Sequence, residues 1–287
     1  MTRLCRVGSV DIGAGKPLAI IAGPCVLESL DHALSIGRAV KSMCAKLGLS
    51  YIFKASFDKA NRSSINSARG PGLERGLEWL ASIRRELSVP ITTDIHDPSQ
   101  AEPAARVVDL LQIPAFLSRQ TDLLQAAGHA AVQHKRGVNV KKGQFMAPSE
   151  MNGAVRKLAE TGCENVMLTE RGTFFGYHRL VNDFLGVADL IEGVGESGKK
   201  LFGNAPPPPV CFDCTHSTQL PGSGETTGGR PERAPALARA ATAIGVHALF
   251  IECHPDPAHA LSDGATVQPM DCMESLLTSV AKIRGAM

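Results

Sequence analysis

Aromatic residues are scarce in this chain, with one Trp and two Tyr among 287 residues. That leaves little material for the stacking platforms that hold single-stranded nucleic acid. An excess of charge of one sign is missing too. Thirty basic residues stand against 28 acidic ones, so the charge balance favours neither nucleic acid nor an anionic membrane surface. No apolar run approaches the ~20 residues that cross a bilayer. Met1–Val10 lacks the basic segment and apolar stretch of a signal peptide, and the expected compartment is cytoplasmic. The eight cysteines form no compact framework. In a reducing compartment they are expected as free thiols, many of them buried.

What the chain does have is repetition. Eight short apolar runs occur at Leu18–Gly23, Leu49–Ala55, Val89–Ile95, Val107–Ile113, Gly137–Lys141, Glu164–Glu170, Pro209–Asp213 and Val246–Glu252. Stretches of helical periodicity separate them, including Leu30–Leu47 behind an N-cap at Ser29, and Leu180–Ile191. Alternation of this kind predicts an α/β fold, a single (β/α)8 TIM barrel over residues 1–287. Two short extended pieces around Gly8 predict an N-terminal β-hairpin within 1–17 that caps the barrel floor.

In such barrels the active site lies at the carboxyl ends of the strands. Cys25 follows the first run, His216 the seventh and Glu252 ends the eighth, with Asp263 in the loop beyond. Runs seven, eight and one are neighbours in a closed barrel, so four ligand-type side chains converge on one sector. Thiolate, imidazole and carboxylates suit a divalent metal and leave Zn²⁺, Fe²⁺ or Mn²⁺ open. The competing reading makes Cys25 a small buried residue and the others surface polar groups. Cations crowd the same rim. Lys54 lies at the end of the second run and Lys59, Asn61, Arg62 and Ser63 follow it, Arg119 follows the fourth, Lys141 ends the fifth and Arg171 follows the sixth. They suit two anionic groups, such as a phosphate and a carboxylate. Two other signals are weak. Gly193–Gly198 spells a dinucleotide fingerprint but follows a helical pattern, so it reads as a surface turn. Cys211 and Cys214 have no second pair to complete a zinc site and read as packed thiols.

The stretches Ile21-Ala-Gly-Pro-Cys25, Lys54-Ala-Ser-Phe-Asp-Lys-Ala-Asn-Arg-Ser-Ser64, Thr93-Asp-Ile-His96, Gln112-Ile-Pro-Ala-Phe116, Arg119-Gln-Thr-Asp122, Asn139-Val-Lys-Lys142, Asp213-Cys-Thr-His216 and Ile251-Glu-Cys-His-Pro-Asp256 closely resemble the 3-deoxy-D-manno-octulosonate 8-phosphate synthase family. The match runs from about Ala19 to Pro269. The resemblance implies a transferase that condenses phosphoenolpyruvate with arabinose 5-phosphate and releases phosphate, for lipopolysaccharide biosynthesis. It places Cys25, with His216, Glu252 and Asp263, in the metal-dependent group. It gives phosphoenolpyruvate to Lys54, Lys59, Lys141 and Arg171 with Gln112 nearby, and arabinose 5-phosphate to Asn61, Arg62 and Ser63. Arg119 would reach a neighbouring subunit, which implies a homotetramer. In that chemistry Lys141 orients the enol phosphate, while His216 and Asp263 act with the metal. A metal-activated water, Asp94 or a rim histidine accepts the proton. Gly193–Pro209 is longer and richer in proline than the resemblance leads one to expect. The alternatives are a heptulosonate phosphate synthase using erythrose 4-phosphate, and a barrel that binds metal and sugar phosphate without turnover.

Overall fold

The structure is a computed structural model that describes residues 3–60, 68–195, 197–221 and 228–287. It begins with an antiparallel hairpin, β1 (Cys5–Val7) and β2 (Val10–Ile12). The barrel follows in chain order with β3 (Ala19–Gly23), β4 (Ser50–Lys54), β5 (Ile91–Asp94), β6 (Leu110–Ile113), β7 (Gly137–Lys141) and β8 (Val166–Glu170). A small ribbon of β9 (Thr173–Phe174) and β10 (Leu180–Val181) precedes β11 (Val210–Asp213). A second ribbon, β12 (Gln219–Leu220) with β13 (Gly228–Gly229), precedes β14 (Ala248–His254). β14 pairs in parallel with β11 on one side and β3 on the other, which closes the ring at eight strands. β15 (Gln268–Pro269) extends the tip of β14.

The crossovers are α1 (Leu30–Lys46), α2 (Leu73–Leu87), α3 (Pro98–Val107), α4 (Thr121–His134), α5 (Met151–Glu160), α6 (Phe184–Glu192) and α7 (Ala234–Ile244), with α8 (Met270–Gly285) at the end. Ser29 caps α1 by accepting from the His32 N–H, as the sequence predicts. The expected helix Leu180–Ile191 is corrected. Leu180 and Val181 pair with Phe174 and Thr173, and α6 starts at Phe184 with Asp183 accepting from the Leu185 N–H. Two apolar residues fit a helix or a strand equally well, and the Asp183 cap sets the boundary. Gly193 ends α6 in the left-handed region at φ 70°, and Val194 bridges Lys200. The fingerprint-like segment is therefore a turn behind a helix. Cys211 and Cys214 are both buried free thiols.

The strands explain the position of the site through their period of two. Ile20, Phe53, Leu111, Val140, Leu168, Phe212 and Ile251 pack outward with the helices in the main core. Alternate residues face inward. Ala19, Ile21, Ile52, Leu110, Met167, Cys211, Ala248 and Phe250 form a second apolar cluster, sealed from below by Cys5, Val7 and Ile12 of the hairpin. One step higher on the same faces come Lys54, Gln112, Asp213 and Glu252, two residues beyond Ile52, Leu110, Cys211 and Phe250. Layered side chains of this kind fill such barrels. Here the lower layer is apolar and the upper one charged. At Gly23 a Cβ would lie 2.0 Å from the Lys54 carbonyl oxygen, so only glycine lets these two strand ends approach.

Candidate active site

The upper layer opens into a cavity of about 890 Å³, lined among others by Lys59, Asp94, His96, Lys141, Arg171, His216, Glu252 and Asp263. The ligand-type residues meet on one side of it. Atoms of Cys25, Glu252 and Asp263 lie within 4.8 Å of one another. The Cys25 thiol donates to Asp263 Oδ2 at 3.0 Å and to Ser262 Oγ at 3.1 Å. His216 Nε2 stands 3.7 Å from Glu252 Oε2, an oxygen that is buried and has no hydrogen-bond partner among the described residues. Burial pushes the Cys25 thiol well up, and Asp263 and Glu252 push the same way. Burial alone would also raise Glu252, but Lys54, His216 and Lys59 outweigh it and hold the acid far down.

Asp213 organises this sector. Its Oδ1 accepts from the backbone N–H groups of Thr215 and His216. Its Oδ2 lies 2.8 Å from His216 Nδ1 and 2.7 Å from Lys141 Nζ. A carboxylate on Nδ1 fixes the ring and turns Nε2 toward Glu252. Thr215 Oγ1 accepts from the Glu252 N–H at 2.8 Å. The donor set, a thiol, an oriented imidazole and two carboxylates with one oxygen unanswered, fits a cation.

The cations divide into paired and open groups. Lys54 is buried beneath the cavity, donating to Glu252 Oε1 and to the Cys25 carbonyl. Lys141 sits over the Phe250 ring at 3.6 Å while paired with Asp213. Lys59 donates to Ser56 Oγ. Arg171 is buried, with Nη2 on Gln219 Oε1 at 2.7 Å and Nη1 without a partner among the described residues. Arg119 is exposed outside the cavity lining, and its carbonyl accepts from Lys157. Asn61, Arg62 and Ser63 lie outside the described residues.

A third feature is a one-way chain of hydrogen bonds across four strands. Thr169 donates to Asn139, Asn139 to Gln112, and Gln112 to Asp94, which also accepts from Ser56. Burial opposes charge on Asp94, but Lys54, Lys59 and Lys141 hold it well below the usual carboxylate range. So low a proton affinity makes it a fixed anion rather than a base. His96, beside it in the lining, is held neutral-leaning mainly by burial, and its Nδ1 is unpartnered.

The sequence brings ligand-type and cationic residues to the rim but assigns no role to Asp213, Asn139, Thr169 or Ser56. The signal was available in part, because each of the first three lies on an inward-facing strand position.

The profile of the DAHP synthetase I family matches residues 4–286. A protein of Granulibacter bethesdensis named 2-dehydro-3-deoxyphosphooctonate aldolase is 50% identical over 276 residues, covering 96% of this chain and 92% of its own. Proteins of the same name from Syntrophotalea carbinolica and a Cyanothece species are 49% and 46% identical, covering 97% and 100% of this chain and 95% and 99% of their own. Matched over nearly its whole length at this level, the chain belongs to the DAHP synthetase I family.

Proposed function

We propose that this chain condenses phosphoenolpyruvate with D-arabinose 5-phosphate and water, giving 3-deoxy-D-manno-octulosonate 8-phosphate and inorganic phosphate. The observation that carries the reading is a set of buried atoms around one cavity with no partner among the described residues: Arg171 Nη1, His96 Nδ1, Gln144 Oε1 and Glu252 Oε2. Buried polar atoms are normally paired, and a hydroxyl-bearing phosphate and carboxylate ligand set beside a cation would pair these. The shared name of the relatives supports the choice of substrates.

Cys25, His216, Glu252 and Asp263 would hold a divalent metal, Zn²⁺, Fe²⁺ or Mn²⁺. When bound it supplies Lewis-acid polarisation of the aldehyde oxygen or of water. Arg171, Lys141 and Lys59 bind the phosphate and carboxylate of phosphoenolpyruvate, with Lys54 adding positive potential from below. Gln112 and Asp94 form the fixed wall beside them. Asn61, Arg62 and Ser63 are assigned to the sugar phosphate. The enol π electrons form the new carbon–carbon bond to the aldehyde carbon, the carbonyl π pair moves to its oxygen, which takes up a proton to become the product hydroxyl, and positive character develops at the enol carbon. Water adds there and loses a proton, which we assign to His96, a cavity-lining imidazole that burial keeps toward its neutral form. The resulting hemiketal phosphate expels phosphate by C–O cleavage.

Arg119 and the exposed Phe116, Phe145, Phe175 and Tyr177 share the rim side of the barrel. They support a homotetramer in which Arg119 serves a neighbouring copy, and light scattering tests this. Phosphate release measured with arabinose 5-phosphate and with erythrose 4-phosphate tests the substrate. A clear preference for the four-carbon sugar would instead indicate a heptulosonate synthase. An oxygen label in the bridging position should leave with phosphate, and label retained in the sugar would exclude C–O cleavage. Chelation should remove turnover and metal add-back restore it.

A further inference from the structure

A second group of ligand-type side chains adjoins the first. Glu28, His32 and His254 bring a carboxylate oxygen and ring nitrogens within 4.8 Å of one another. The group has the composition of a metal site, but the hydrogen bonding of His254 argues against its serving as a ligand. The Asp256 N–H donates to His254 Nδ1 at 3.0 Å. A ring that accepts at Nδ1 carries its proton on Nε2. That nitrogen faces Glu28 Oε1 at 3.3 Å and has no lone pair left for a cation. The His32 ring is tilted 55° to the His254 ring, with centroids 4.6 Å apart, and its two nitrogens are buried without a hydrogen-bond partner among the described residues.

Glu28 instead ties two loops together. Its Oε1 also accepts from the Leu261 N–H at 3.0 Å. Leu261 directly precedes Ser262 and Asp263, which meet the Cys25 thiol, and Glu28 follows Cys25 by three residues. Asp263 sits in the left-handed region at φ 51°, a conformation that a residue with a Cβ keeps only when its surroundings impose it. On its C-terminal side the turn is fixed by Thr266 and Val267, whose N–H groups donate to the Asp263 carbonyl. On its N-terminal side Glu28 ties the backbone at Leu261, beside the contact of Ser262 with Cys25.

From this geometry we infer that Glu28 is a positioning residue: it latches the Asp263 loop to the Cys25 loop and thereby sets the metal affinity of the neighbouring cluster. The inference rests on the metal reading given above. The test is zinc titration of the chelator-stripped chain against a chromophoric competitor, for wild type, E28A and E28Q, with melting of each stripped protein measured alongside. All three should take up one equivalent. E28A should bind about 10–100-fold more weakly, the usual effect of removing a group that orients a ligand. E28Q keeps an amide oxygen for the Leu261 N–H and should lose only severalfold. A structural role alone would lower the melting temperature and leave zinc affinity unchanged, and wild-type affinity in either variant overturns the inference. Two equivalents in wild type against one in E28A would also overturn it, because Glu28 would then be a ligand. A wild type that binds no zinc sinks the metal reading as well. Wild-type binding with unchanged variants sinks the latch alone.

Discussion

At the floor of the barrel Asp109 is 1% exposed, and its bonds are closed. It accepts from Arg84 at 2.7 Å, Arg136 at 3.2 Å and the Ile91 N–H at 3.1 Å. His247, on the same floor, is buried with Nδ1 accepting from the Val210 N–H. At the rim Arg171 and Glu252 are as deeply buried, yet each keeps an atom with no partner, and both line one cavity. Burial and charge are therefore common to both ends. What separates these four residues is satisfaction. Asp109 and His247 fix strand ends with their bonds made, whereas Arg171 and Glu252 each leave an atom open among the described residues. Sites of this kind hold functional groups at some cost to stability.

The comparison yields crossed outcomes. Arg171→Met should lower kcat/KM for phosphate release by about 10²–10³-fold while leaving the melting temperature unchanged or higher, since it removes a buried cation with an unpaired donor. A large fall in melting temperature would mean that the rim, too, is structural. Asp109→Ala should do the reverse, lowering the free energy of unfolding in urea by about 3 kcal/mol with turnover per folded molecule unchanged. Asp213→Asn, which weakens the hold on both His216 and Lys141, should lower zinc affinity by about 10–100-fold, read by chelator competition.

The smallest effect concerns pH. Burial and the nearby Arg284 push His247 down from 6.5 to about 4. The unfolded chain therefore binds a proton that the folded chain refuses. Stability is full above the unfolded value and falls as pH drops toward the folded one. Between pH 7.5 and 5 this group should cost about 2 kcal/mol of stability. His247→Gln should flatten that part of the urea-midpoint profile against pH. An unchanged slope would remove His247 from the floor's account.

The barrel was legible because its signal is local. Short runs such as Ala19–Gly23 and Val166–Glu170, spaced by helical stretches, need no knowledge of distant contacts. The rim residues were legible for the same reason, since strand ends place them. The error at Leu180–Val181 came from a segment too short for periodicity to decide. Lys142 shows the other limit. Beside Lys141 in sequence, it is buried against the Met146 carbonyl and Glu170 rather than in the cavity lining, because neighbours on a strand point to opposite faces.

Strand and helix periods, and the residue types at strand ends, are properties of the sequence read a few residues at a time. They determined an eight-stranded barrel with thiol, imidazole, acid and base groups at one rim. Tertiary structure alone decided which of those charges cancel. Lys54 meets Glu252 across 198 positions, and Lys141 meets Asp213 across 72, whereas Arg171 keeps an open donor. Coulombic pairing depends on distance in space, and only closure of the ring sets that distance.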